Sequence, residues 1–143
     1  MRNIEDKVGY QIGMVAHLLH NQYNERLAKY DLTVAQARVL YLLQEYGTQT
    51  QLELQQRLFI KASTMNGIIE SLLNKRLIDK RENEQDKRSK IVSLTENGRK
   101  VDKQLWGELE EVESELFKSL SKEEAALMFQ WLKKIKNNLI ETT

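Results

Sequence analysis

Cysteine and proline are both absent from these 143 residues. No disulfide can staple the fold, and no thiol can act as nucleophile, metal ligand or redox switch. Without proline, helices can run long and unbroken. No apolar run approaches the ~20 residues that a membrane helix needs, and the opening stretch MRNIEDKVGY lacks an apolar signal core. These absences describe a soluble, cytoplasmic chain with no membrane partner. Net charge is scarce too. At +1, the chain is not a uniformly basic nucleic-acid binder.

What is present is unevenly distributed. From Lys61 to Lys90 eight basic residues face five acids, a net of +3, whereas Gln104 to Leu127 holds seven Glu and two Lys, a net of −5. One end of such a molecule can face phosphates and the other cannot. At 143 residues the chain is one folding unit.

The apolar spacing is mostly helical. Ile4 to Tyr30 reads as one helix, with Val8, Ile12, Val15, Leu19 and Tyr23 on one stripe. Gly9 and Gly13 interrupt it at a cost of about 1 kcal/mol each relative to Ala, which predicts either close helix packing or room for a ligand. Thr33-Val-Ala-Gln36 is a capping box, and its helix ends near Gly47. Thr50-Gln-Leu-Glu53 opens a short helix with Leu54 and Leu58 inward. Thr95 caps a helix to about Ser119, and Ser121-Lys-Glu-Glu124 opens the last one. The terminal helices carry more apolar surface than the middle of the chain can cover, which predicts a second copy as partner.

The most informative stretch runs from Lys61 to Gly98. Ile68, Ile69, Leu72 and Leu73 form a helical apolar stripe, opposite Ser63, Thr64, Asn66, Gly67, Glu70 and Ser71. After Arg76 the period becomes two. Ile78–Glu82 and Lys90–Leu94 read as strands around a polar tip with Glu84, Asp86, Lys87 and Arg88. Thr48-Gln49 is a stub strand able to pair with this hairpin.

Asp86-Lys87-Arg88, then Val92-Ser93-Leu94-Thr95 and Gly98, resemble the D-x-R…V-x-L-T-x-x-G wing signature of the MarR family of transcriptional regulators. The resemblance implies a mainly α fold with a small β-hairpin wing. Residues 33–100 would form a winged helix-turn-helix, and 1–32 with 101–143 a helical dimerisation region. It implies a homodimer on double-stranded DNA at a palindromic operator, most simply a repressor. Members that sense oxidants through cysteine are excluded as models. Two departures stand out. A hydroxyl residue usually stands where Lys61 does, so Ser63 or water must cap the recognition helix. Glycine commonly precedes the first wing strand, whereas Arg76 cannot adopt positive φ cheaply.

In that reading Asn66 has the amide suited to adenine, while Ser63, Thr64, Gly67 and Ser71 share its groove-facing side. Arg88 suits the narrow minor groove, oriented by Asp86. Gln36, Lys61, Arg81, Lys87 and Lys90 are phosphate contacts. The resemblance further implies an effector cavity between dimer helices and winged module, of the kind that takes phenolic or lipophilic anions. Tyr10, Gly13, Met14 and His17 of the first helix, with Val39 and Leu43 as apolar wall, are the candidates, unless all are packed core. The competing reading is a dimeric helical protein-interaction adaptor with a degenerate winged module, which Glu70 on the recognition helix favours.

Other chemistry finds no support. His17 and His20 lack a spaced third ligand, so no metal is expected. The glutamates at 108, 110, 111, 113 and 115 lack the Glu-x-x-His of a carboxylate di-iron site. No nucleophile–base set or phosphate loop occurs, so neither an enzyme nor a cofactor is expected.

Overall fold

The computed structural model describes residues 1–142. Six helices and a three-stranded antiparallel sheet follow in the order α1 (Val8–Leu27), α2 (Val34–Tyr46), β1 (Gln49–Thr50), α3 (Gln51–Leu58), α4 (Ala62–Asn74), β2 (Ile78–Glu82), β3 (Lys90–Leu94), α5 (Glu96–Leu116) and α6 (Lys122–Glu141). The chain forms two compact units, one from Met1 to Leu109 and the other from Glu110 to the C-terminus.

Side-chain caps set most of the boundaries. Thr33, Thr50 and Ser121 each accept a hydrogen bond from the N–H three residues on, and Gln36, Glu53 and Glu124 return it to the cap backbone. Gly47 ends α2 at φ +77°, a conformation that costs glycine little. Thr95 Oγ1 accepts from the Gly98 N–H at 2.9 Å and so opens α5.

The first helix is not continuous as its periodicity predicts. A 3-10 turn at Ile4–Asp6 precedes it, and Lys7 between the two is extended. Asn3 accepts from the Glu5 N–H at 3.1 Å and so caps this separate turn. Ala28–Tyr30 tightens into a second 3-10 turn that closes on Asp31 at φ +56°.

The core lies in the first unit. Leu40 and Val39 of α2, Leu54 of α3, Met65, Ile69 and Leu72 of α4, Ile78 and Val92 of the sheet and Leu105 of α5 are fully enclosed. Burying a side chain of this size contributes about 1.5–3 kcal/mol. The sheet runs β1-β3-β2, with Gln49 opposite Val92 and Ile78 opposite Leu94.

Neither terminal helix is packed in this way. Leu27 is the only fully buried residue of α1, and α6 has none. Ile12, Met14 and Val15 of α1 and Phe129, Trp131 and Leu132 of α6 are exposed. A methyl group added at Gly9 or Gly13 would meet nothing within 4 Å, so neither glycine marks a close helix contact within this chain.

Candidate nucleic-acid interface

Helix α4 is amphipathic in the sense required of a groove-entering helix. Met65, Ile68, Ile69 and Leu72 are buried, while Lys61, Ser63, Thr64, Asn66 and Gly67 are exposed on the other side. The α4 N-terminus has no side-chain cap at all. Lys61 stands at the cap position without one, and Ser63 does not substitute for it. Its free N–H groups therefore open to solvent beside the exposed face, where they can meet an anion.

Asn66 is not alone on that face. Gln51 Nε2 of α3 donates to its Oδ1 at 2.5 Å, which fixes the amide's orientation. Gln36 has a second use beyond its capping box. Its Oε1 accepts from the Thr33 N–H at 3.1 Å and from Lys75 Nζ at 3.4 Å, while Nε2 donates to Ser71 Oγ at 2.9 Å. Gln36 and Ser71 thus tie α2 to α4, with both ends of the amide already engaged.

Arg76 enters the wing at φ +59°, so a positive φ that glycine adopts cheaply is held here by an arginine. The cost is of the order of 1–2 kcal/mol. The surroundings hold it there. Thr95 Oγ1 donates to the Arg76 carbonyl at 2.8 Å and the Thr95 N–H to that of Leu77 at 3.1 Å. A Cβ at Gly98 would lie 2.0 Å from the Leu77 oxygen, which only glycine avoids.

Beyond this base the hairpin pairs Lys80 with Val92, Arg81 with Ile91 and Glu82 with Lys90. At the tip, Asp86 Oδ1 accepts from both the backbone N–H of Arg88, at 3.1 Å, and its Nε, at 3.4 Å. The Arg88 side chain is 94% exposed. Asp86 thus aims a guanidinium into solvent, as its spacing predicts. Lys87 and Arg81 are exposed beside it, whereas Lys90 reaches Glu82 at 3.2 Å and Lys80 reaches Glu70 at 3.3 Å. Exposed pairs of this kind are worth less than about 1 kcal/mol and yield readily to a stronger anion.

Helix α4 and the wing border a groove of about 610 Å³ that contains Asn66, Asp86, Arg88 and Lys90. Gln51, Leu52 and Gln55 of α3 complete its wall, and sequence reasoning passed over all three. Their places in the first turns of a capped helix, with Leu52 exposed, are the signal that could have found them.

The expected effector residues differ in their burial. Val39 and Leu43 are enclosed in the core, while Tyr10 and Met14 are exposed on α1. A cleft of about 410 Å³ lies elsewhere, between Tyr41, Gln44 and Glu45 of α2 and Arg99, Asp102, Lys103 and Trp106 of α5. The Tyr41 and Trp106 rings meet edge to face at 5.5 Å. Burial pushes the Asp102 carboxyl up to about 6, and burial followed by the Asp102 charge pushes the Tyr41 phenol up to about 12.

Comparison with known proteins agrees with this geometry. The model of the MarR family matches residues 30–89. The uncharacterized HTH-type transcriptional regulator YwoH of Bacillus subtilis (strain 168) is 32% identical over 124 residues, 85% of this chain and 90% of that protein. The multiple antibiotic resistance protein MarR of Salmonella typhimurium is 30% identical over 129 residues, 90% of each. Among solved structures, a MarR mutant from E. coli complexed with operator DNA is 29% identical and has a TM-score of 0.82, over 90% of this chain and 92% of that one. An S. aureus MepR–DNA complex is 27% identical with a TM-score of 0.84, over 92% and 98%. The three-helix module, its wing and these likenesses make the chain a member of the MarR family of DNA-binding, winged helix-turn-helix transcriptional regulators.

Proposed function

We propose that this protein is a homodimeric repressor that grips a palindromic operator with two copies of α4 and two wings. The observation that carries the reading is the Asp86–Arg88 pair at the wing tip, an oriented and almost wholly exposed guanidinium beside the groove-facing side of α4. Arg88 enters the minor groove, where a narrow A·T-rich stretch concentrates negative potential. Asn66, Ser63, Thr64 and Gly67 meet base edges in the major groove. Lys61, Arg81, Lys87 and Lys90 hold phosphates, the last by leaving Glu82. The DNA-bound relatives of similar fold support this docking.

The homodimer follows from the exposed apolar faces of α1 and α6, which a second copy would cover. Two recognition helices then meet successive major grooves roughly 34 Å apart. A small aromatic or lipophilic effector relieves repression by binding better to a dimer with a different spacing. The cytoplasm is where such a regulator would work.

The test is fluorescence anisotropy on a duplex from the chain's own upstream region, at two salt concentrations. Arg88→Ala should weaken operator binding by about 1–3 kcal/mol, and Lys87→Ala should lower the salt slope by about one. Unchanged affinity in Arg88→Ala would remove the wing from the interface. An absence of binding at either salt would favour a protein-interaction adaptor instead.

A further inference from the structure

The cleft between α2 and the first half of α5 contains an unanswered hydrogen-bond acceptor. Asp102 is 6% exposed, and its Oδ1 has no partner. Buried carboxylate oxygens are nearly always paired, because leaving one desolvated and unbonded is costly. Donors line the same cleft but are turned elsewhere. Arg99 directs Nη1 to the Leu94 carbonyl at 3.3 Å, the Tyr41 hydroxyl donates to the Leu105 carbonyl at 3.3 Å, and Lys103 is exposed to solvent.

The space beside this oxygen is shaped for a ring. Tyr41 and Trp106 form an aromatic corner, Trp106 is 47% exposed, and about 410 Å³ suits a molecule of one or two rings. We infer that this cleft binds a small aromatic amine, whose protonated nitrogen donates to Asp102 Oδ1 while its ring packs against Tyr41 and Trp106. An aromatic acid of the same shape would set its carboxylate against that of Asp102. The aromatic faces themselves attract cations and not anions. Glu45 adds negative charge on the α2 side, set against Arg99 and Lys103 on the α5 side, of which Arg99 is engaged by the Leu94 carbonyl. Near pH 7.5 Asp102 is ionised yet poorly solvated, since burial has raised its pKa only to about 6.

The position gives such a ligand leverage. Gln36 of α2 is bonded to Ser71 of α4, and α5 starts directly after β3 at the wing's base. A molecule that parts α2 from α5 therefore acts on both groove-facing elements. This regulatory consequence rests on the operator reading above, whereas ligand binding does not.

The test is titration calorimetry of the full chain without DNA at pH 7.5, with phenethylamine against 3-phenylpropionate, which differ mainly in charge. The amine should bind about tenfold tighter, as a charge-assisted hydrogen bond provides. Asp102→Asn, nearly isosteric, should abolish that preference, and Trp106→Ala should weaken the amine while leaving the melting temperature unchanged. Equal binding, preference for the acid, no heat from either probe, or a preference that survives Asp102→Asn would overturn the inference. Anisotropy with the operator duplex then separates the two readings. Phenethylamine bound at Asp102 without any change in DNA affinity overturns the regulatory consequence alone.

Discussion

Helices α4 and α6 are both amphipathic, yet their apolar faces fare differently. Met65 and Leu72 of α4 are 0% exposed, whereas Phe129 and Leu139 of α6 are 62% and 63% exposed. The α4 face is covered by α2, α3 and the sheet, all drawn from the continuous stretch Val34 to Leu94 around it. The face of α6 carries comparable hydrophobicity with nothing comparable over it. Periodicity thus decides which side of a helix avoids water, but not which molecule supplies the cover. In the winged module that cover comes from the chain itself, and at the termini a second copy is the proposed source.

The comparison can be broken most directly at α6. Leu132→Glu with Leu139→Glu places two charges on its exposed face, and sedimentation at low micromolar concentration should then give 16.8 kDa where the parent gives twice that. A dimer that survives both charges would show that this face is not what assembles. Leu72→Ala probes the opposite region. It should cost about 2–5 kcal/mol in denaturant unfolding, because the site is enclosed and cannot collapse cheaply. Its dimer mass at native conditions should not change.

A smaller effect sharpens the picture inside the packed module. The folded chain holds the Asp102 proton more tightly than an unfolded one, with a pKa of about 6 against 3.8. Folding therefore takes up a proton between those values, and stability falls as pH rises through that window. Asp102→Asn should remove this slope and stabilise the protein at pH 7.5 by about 1–3 kcal/mol. Thermal melts of both proteins at pH 4 and pH 7.5 check it. Parallel pH dependence in parent and variant would mean that Asp102 is solvated after all.

Local features were legible in the sequence. The three capping boxes, the Gly47 stop, the bounds of β2 and β3 and the Asp86–Arg88 pair all depend on residues a few positions apart, where spacing fixes geometry. What escaped is long-range or conformational. The α2–α5 cleft joins residues such as Tyr41 and Leu105 that lie 64 positions apart, and nothing in their local pattern announces the meeting. Val39 and Leu43 lie on the correct buried side of α2, but periodicity cannot tell a cavity wall from a filled core. The positive φ of Arg76 is imposed by Thr95 and the close approach of Gly98, against the residue's own preference. Gln36 reads as a capping-box partner and phosphate contact until Ser71 is found beside it.

The closed base of the wing has a consequence for the thermodynamics of recognition. Thr95 and Gly98 clamp Arg76 and Leu77, the ladder continues to Glu82, and Asn83 and Asp86 each bond backbone N–H groups within the tip. A disordered basic arm would lose about 1–2 kcal/mol of backbone conformational entropy for each residue fixed on binding. In this hairpin that ordering is complete before any partner arrives. The wing can therefore meet its groove as a rigid body, and what remains to be immobilised is chiefly the long side chain of Arg88.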